Sequence, residues 1–468
     1  MSSSGLPPGT ARLVPVLLLT LFLSVSTGSM VNVALPWIAA WAASDAAAAG
    51  WVVSGYLLTF AVFNVVHGGL ADRVGARRLY LVGMAVFGLG GVASALAPSL
   101  EVLVLVRVVQ GAGAAALSAI GVTIVGRAVP PEHRGTAMGA VMATVGVSAS
   151  IAPFLGGLIL QGLSWRAIVL VPAGALLLLP LAARALPAHL DEVTEDRPFD
   201  FVGALLLVVG TGAAMLGADL VRRDPGGFGL PLAGAGGVLL VVGWFWSLRA
   251  PVPFLPPAVL RIAAFRSMLV TGAVANGLRF GTLVLVPLML RECFDSSPLT
   301  IGVVLVPGAV LLAACSPPAG RIAGARGPRG LAASGLLGLV LSCVLMAALL
   351  RLGAVGAAVA MGAFGIAFAA VQPSLLTGLG DVLPRPLAGV GSGFYMMCFF
   401  LGAALGVALS MSVLSAQAPE TQALLGSTPP GTGRYVNTLL LLALVGACAL
   451  PVTAGLPGKS RTTTRAAS

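Results

Sequence analysis

The chain has 468 residues, of which 58% are hydrophobic and 9% charged, against about 25% charged in an ordinary soluble domain. That composition excludes a water-soluble enzyme, and a mean hydropathy of +1.03 means the length is better counted in membrane spans than in soluble domains. A net charge of +11 would suggest nucleic acid in a soluble protein, but here the arginines sit mostly in short connectors between apolar runs, where basic residues hold helix ends at a membrane face. Nucleic acid is therefore not expected as a partner; the lipid bilayer is.

The apolar runs are long and unbroken, without the short alternation of an outer-membrane barrel. They predict an all-α polytopic membrane protein with spans at 13–41, 50–69, 79–98, 102–126, 136–161, 166–184, 201–219, 229–248, 267–290, 299–317, 331–350, 353–378, 387–414 and 435–455. The first run, led only by Arg12, is about twice the length of a signal-peptide core and reads as a retained span. Trp37, Trp41 and Trp51 cluster at its far boundary, as an interfacial aromatic belt does. With the N-terminus inside, eighteen of the 26 basic residues fall in inside segments, six outside and two within spans. This bias predicts that both termini are cytoplasmic; the Arg222-Arg223 pair runs against it. Lys459 is the one lysine, and the abundance of Ala and Gly beside it hints at a bacterial source, hence the bacterial cytoplasmic membrane.

The connector 185–200 carries Asp191, Glu192, Glu195, Asp196 and Asp200 and reads as a hydrated linker with solvated acids. It divides the chain into a six-helix bundle over 1–184, a linker with two inserted spans over 185–266, and a second six-helix bundle with a short tail over 267–468. The five cysteines are odd in number, widely spaced and without a histidine cluster, so they predict neither a disulfide framework nor a metal site. No cofactor is expected.

The chain repeats itself. Gly68-Gly69-Leu70-Ala71-Asp72-Arg73-Val74-Gly75-Ala76-Arg77-Arg78 joins spans two and three, and Gly320-Arg321-Ile322-Ala323-Gly324-Ala325-Arg326-Gly327-Pro328-Arg329 joins spans ten and eleven. Glycines recur seven apart in both, followed by basic residues, so the chain holds two related halves. The first loop resembles the inside-loop signature G-x-L-A-D-R-x-G-R-R of the major facilitator superfamily, with Ala76 in place of an arginine. Arg107-Val108-Val109-Gln110-Gly111-Ala112-Gly113 resembles that family's R-x-x-Q-G-x-G element. Ala152-Pro153-Phe154-Leu155-Gly156-Gly157 is similar to its antiporter element G-P-x-x-G-G. Val31-Asn32-Val33-Ala34-Leu35-Pro36 resembles the end of span one in the fourteen-span drug:proton antiporters, and Phe199-Asp200-Phe201-Val202-Gly203 resembles the start of their two inserted helices.

The resemblance implies a transporter of the major-facilitator fold, two six-helix bundles plus two inserted helices, that exports small amphiphiles against protons by alternating access. It implies an inside-loop latch of Gly68, Asp72, Arg73, Gly75 and Arg77, a role for Arg107 at the cavity in proton transfer, and a close-packing interface at Pro153, Gly156 and Gly157. His67 reads as an interfacial side chain. Gln110 and Gln372 could contact substrate or bond between helices.

An ionisable side chain at bilayer depth is costly, about 2.5–3.5 kcal/mol on insertion scales, and marks a functional site by default. Arg107 in span four and Arg279 in span nine qualify, and Asn276 lies three residues before Arg279 on the same helical face. With Asn32 and Gln110 they make the expected substrate and proton cavity. All fifteen carboxylates fall in connectors or within a turn of a span end, and Thr27 stands where the resembled family has a span-one Asp. A cavity with arginine and no carboxylate favours neutral or anionic amphiphiles over permanent cations. The competing readings are an importer or facilitator of a small metabolite, and a non-transport membrane protein. No G-x-x-x-x-G-K-[ST] element supports an ATP-driven pump, and no cluster at bilayer depth supports an intramembrane enzyme. A monomer is expected.

Overall fold

The computed structural model describes residues 8–191, 200–223, 227–250, 257–383, 387–424 and 429–458, and every long element among them is an α-helix. In chain order they are α1 (Pro8–Trp41), α2 (Ala46–Val74), α3 (Ala76–Ala95), α4 (Leu100–Ala128), α5 (Pro131–Gly162), α6 (Trp165–Leu170) and α7 (Gly174–Ala185). A second group follows as α8 (Phe201–Arg223), α9 (Gly229–Ser247) and the short α10 (Pro257–Leu260). The last group is α11 (Ala263–Phe294), α12 (Pro298–Arg326), α13 (Pro328–Leu349), α14 (Gly353–Val382), α15 (Ala388–Ser415) and α16 (Gly433–Ala449).

Thirteen stretches among the described residues are long and apolar enough to cross a membrane. One of them, Pro328–Gly380, has 53 residues; as a single helix it would run about 80 Å, far more than a hydrocarbon core of about 30 Å. It is in fact α13 and α14, which break at a 3-10 turn over Leu350–Leu352 and at Gly353, with φ of +55°, and pack back on one another. The sixth stretch is α6 and α7 joined through Val171–Ala173. Each of the fourteen expected spans thus falls on helix.

The helix ends differ from the expected ones for local reasons. The Asp45 carboxylate accepts the Ala48 N–H at 2.8 Å and starts α2 four residues early. At the other end α2 runs on through Gly68 and Gly69 to Val74 and stops at Gly75, whose φ of +95° suits glycine alone. Gly68 is therefore not a turn residue: it sits inside a helix, and a Cβ there would meet nothing within 4 Å.

Helices α1–α7 pack among themselves, as do α11–α16. The two groups meet through α2 against α15, α5 against α12 and α1 against α11. Lipid offers no hydrophobic drive for helix association, so close backbone approach carries it. A Cβ on Gly302 of α12 would lie 2.6 Å from the Pro153 carbonyl oxygen and 3.3 Å from Gly157 Cα of α5. The α8–α9 hairpin leans on the rest through α8, mainly against α2, and leaves Trp244, Phe245 and Trp246 of α9 exposed, as a lipid-facing helix requires. Asp200 caps α8, accepting the Gly203 N–H at 2.7 Å and the Trp246 indole N–H at 2.8 Å.

Candidate functional site

Where the two groups of helices meet, α1, α5, α11, α12 and α14 enclose a cavity of about 30 Å³. That holds a water or two, at about 10–15 Å³ each, and is far smaller than the roughly 300–1,000 Å³ of a ligand pocket. The space between the two groups of helices is thus narrow at the site. Asn32 and Ser29 of α1, Pro153 of α5 and Arg279 of α11 supply its polar and irregular wall, and leucines, Met361 and Phe368 the apolar remainder.

Arg279 has no hydrogen bond or ion pair among the described residues. Its guanidinium carbon lies 4.9 Å from the Phe368 ring centre and 5.3 Å from that of Phe280, a cation–π setting that softens but does not replace lost hydration. Asn32 is 1% exposed, and neither its amide nitrogen nor its amide oxygen has a partner. Buried polar groups are almost always paired. Asn32 is such an unpaired group, and it shares the cavity wall with the half-buried Arg279 of the facing helix. Pro153, inside α5, removes one rung of that helix's ladder beside the cavity.

Arg107 and Gln110 do not line this cavity, contrary to the expectation. Arg107 is 1% exposed and held on three sides: its Nε donates to the Val52 carbonyl at 3.2 Å, its Nη1 donates to Gln110 Oε1 at 2.6 Å, and its guanidinium stacks 4.1 Å over the Tyr56 ring. Gln110 Nε2 then donates to the Phe87 carbonyl at 3.0 Å. The network ties α4 to α2 and α3. The residue spacing hid this, because Val52, Tyr56 and Phe87 come from other helices; the i, i+3 spacing of Arg107 and Gln110 was the one available signal.

Asn276 is not at the cavity either. Its amide nitrogen donates to the Phe399 carbonyl at 2.9 Å and pins α11 to α15. Three residues of helix leave it about 60° around the axis from Arg279, enough for the two to face different neighbours. Thr27 is buried and its hydroxyl donates to the Leu23 carbonyl of its own helix at 2.7 Å, a self-contained arrangement. Gly156 of α5 packs on Met30 of α1, and Gly157 on Pro298 and Leu299 of α12.

At the end of the molecule bearing the α2–α3 turn, Arg77 donates from Nη2 to the Ala183 carbonyl at 2.8 Å and lies 3.4 Å from Asp191 Oδ2. The Arg78 backbone N–H donates to Asp191 Oδ1 at 3.0 Å, and a Cβ on Gly75 would lie 2.7 Å from Asp191 Cα. Asp191 is therefore not a solvated linker acid: it caps the start of α3 from a distance. This turn holds α3 to the segment after α7, within the first group of helices. Arg73 is half-buried and partnered, while the Asp72 side chain lies outside the described residues, as do Glu192, Glu195 and Asp196.

Residues 17–407 match the family model for the Major Facilitator Superfamily. The chain is 30% identical over 407 residues to the multidrug resistance protein Stp of Mycobacterium tuberculosis strain H37Rv, covering 85% of this chain and 74% of that one. It is 27% identical over 402 residues to the riboflavin transporter RibZ of Clostridioides difficile strain 630, covering 85% and 86%. A crystal structure of the peptide transporter POT in complex with sulfate superposes with a TM-score of 0.69 at 15% identity, covering 97% of each chain, a likeness of fold alone.

Proposed function

Since the chain belongs to the major facilitator superfamily, is a multi-pass membrane transporter and is not an enzyme, we propose that it exports small amphiphilic molecules, neutral or anionic, across the bacterial cytoplasmic membrane by alternating access. Both termini lie in the cytoplasm in this reading, and the monomer is the working unit. The observation that carries it is the narrow cavity between the two helix groups, lined by Arg279 and by Asn32, whose amide has no partner, with no carboxylate among its described lining residues. Likeness to a multidrug resistance protein supports export. The proton antiport that the resemblance brings needs a group that binds and releases H⁺. Asp219 lies in α8, a helix that takes no part in the cavity, and Asp72 near the end of α2, which leaves an acid on the substrate itself as the nearest candidate.

Likeness to a riboflavin transporter favours a second reading, uptake or facilitated passage of a small metabolite. Everted membrane vesicles separate the two. Export predicts that energised everted vesicles accumulate a neutral or anionic fluorescent amphiphile and largely ignore a quaternary ammonium dye. Accumulation confined to right-side-out vesicles would favour the importer, and equal handling of the cationic dye would remove the charge preference.

A further inference from the structure

The two arginines within membrane-length helices are held differently, Arg107 buried and Arg279 half-buried. Arg107 is given an amide oxygen, a backbone carbonyl and an aromatic face. Among the described residues Arg279 is given only rings. Arginine stays protonated in proteins, so the cavity carries an uncompensated positive charge. Beside it Asn32, 1% exposed, offers an amide N–H and an amide oxygen with nothing bonded to either. Apart from Ser29 the rest of the wall is apolar, with Leu283, Leu305, Met361 and Phe364 among its residues. Among the described residues, none of the five helices around the cavity brings a carboxylate, histidine or cysteine into that wall.

We infer that the substrate supplies the missing counter-charge: Arg279 and Asn32 form a subsite for the anionic headgroup of an amphiphile, and export of that anion runs on the membrane potential without a coupled proton. This rests on the export reading above. The guanidinium takes the anion's oxygens, the Asn32 N–H donates to the same group, and the apolar wall receives the hydrocarbon body. A monoanion leaving an interior-negative cell moves with the field, and 100 mV alone supports a concentration ratio of about fifty. The Thr27 hydroxyl, in place of a titratable acid, is then no defect, since no proton has to be exchanged.

The test uses the purified full-length chain and three probes sharing a dansylaminoundecyl body: the carboxylate, its carboxamide and the trimethylammonium analogue. Dansyl fluorescence titration is expected to show the carboxylate binding at least about tenfold tighter than the carboxamide, with the ammonium weakest. Arg279→Gln should abolish that preference while leaving carboxamide affinity within about threefold, and Arg279→Lys should restore part of it. Equal binding of the three, a preference that survives Arg279→Gln, or no binding by any would overturn the anion subsite. In proteoliposomes, a potassium–valinomycin potential at equal pH should drive protein-dependent movement of the carboxylate, and a pH gradient at zero potential should drive none beyond protein-free liposomes. Movement that follows the pH gradient would overturn the coupling. Preferential binding of the carboxylate with no protein-dependent movement of any probe would instead count against export itself.

Discussion

Arg107 and Arg279 are the same residue type within long apolar helices of the two halves of one membrane protein, and they are held in different ways. Arg107 is enclosed by α2 and α4 with its donors placed on Val52 and Gln110 and its face on Tyr56. Arg279 lies at the boundary between the halves, over Phe280 and Phe368, on a cavity that the other half closes with Asn32 and Pro153. The cost of taking a charge out of water is lowered when hydrogen bonds and an aromatic face replace the hydration. The first arginine is repaid by the fold. The second is left for something that enters from outside, which is why depth in the membrane does not by itself identify a transport site.

That contrast can be broken most forcefully at Arg107. Arg107→Leu strands Gln110 and leaves a void, and should lower unfolding free energy by roughly 3 kcal/mol in mixed-micelle denaturation. Arg107→Lys should recover little, because one ammonium cannot donate along both the Nε and Nη1 directions while stacking on Tyr56. Next in size is Gly302→Val, whose side chain meets the Pro153 carbonyl and Gly157; overpacking of this kind costs about 1–3 kcal/mol. It should force α5 from α12, and a cysteine introduced at position 32 should then react faster with a thiol reagent. Arg279→Gln should leave unfolding free energy within about 1 kcal/mol of the parent and cut transport at least about tenfold. Smallest is Asp191→Asn, which weakens a partly exposed contact with Arg77 and the cap on α3. A loss of about 0.5–1 kcal/mol, shrinking as salt is raised, is expected from thermal melts.

Much of the fold was legible because its signals are local. Apolar run length fixed the helices, and Gly75, with φ of +95°, and the α13–α14 break at Gly353 fall where glycine punctuates those runs. The site was legible only in part. Arg279 and Asn32, expected at the cavity, line it, and so does Pro153, expected only at the span-five packing interface; each is a polar or irregular residue in an otherwise apolar helix. Arg107, Gln110 and Asn276 carry the same signal and have other fates, decided by the Val52, Phe87 and Phe399 carbonyls. A backbone carbonyl leaves no mark in the sequence, so composition cannot tell a satisfied buried charge from a waiting one. Asp191 was misjudged for the same reason: an acid in a charged connector reads as solvated until the Gly75 turn is seen packed against it.

The most direct test of the contrast is to measure Arg107→Gln and Arg279→Gln side by side, reading unfolding free energy and probe transport from the same preparations. The account predicts a crossing: Arg107→Gln loses stability, with transport falling only as folded protein falls, whereas Arg279→Gln keeps its stability and loses transport per folded molecule. Equal destabilisation in both, with transport tracking the folded fraction in each, would contradict it and make Arg279 one more structural charge.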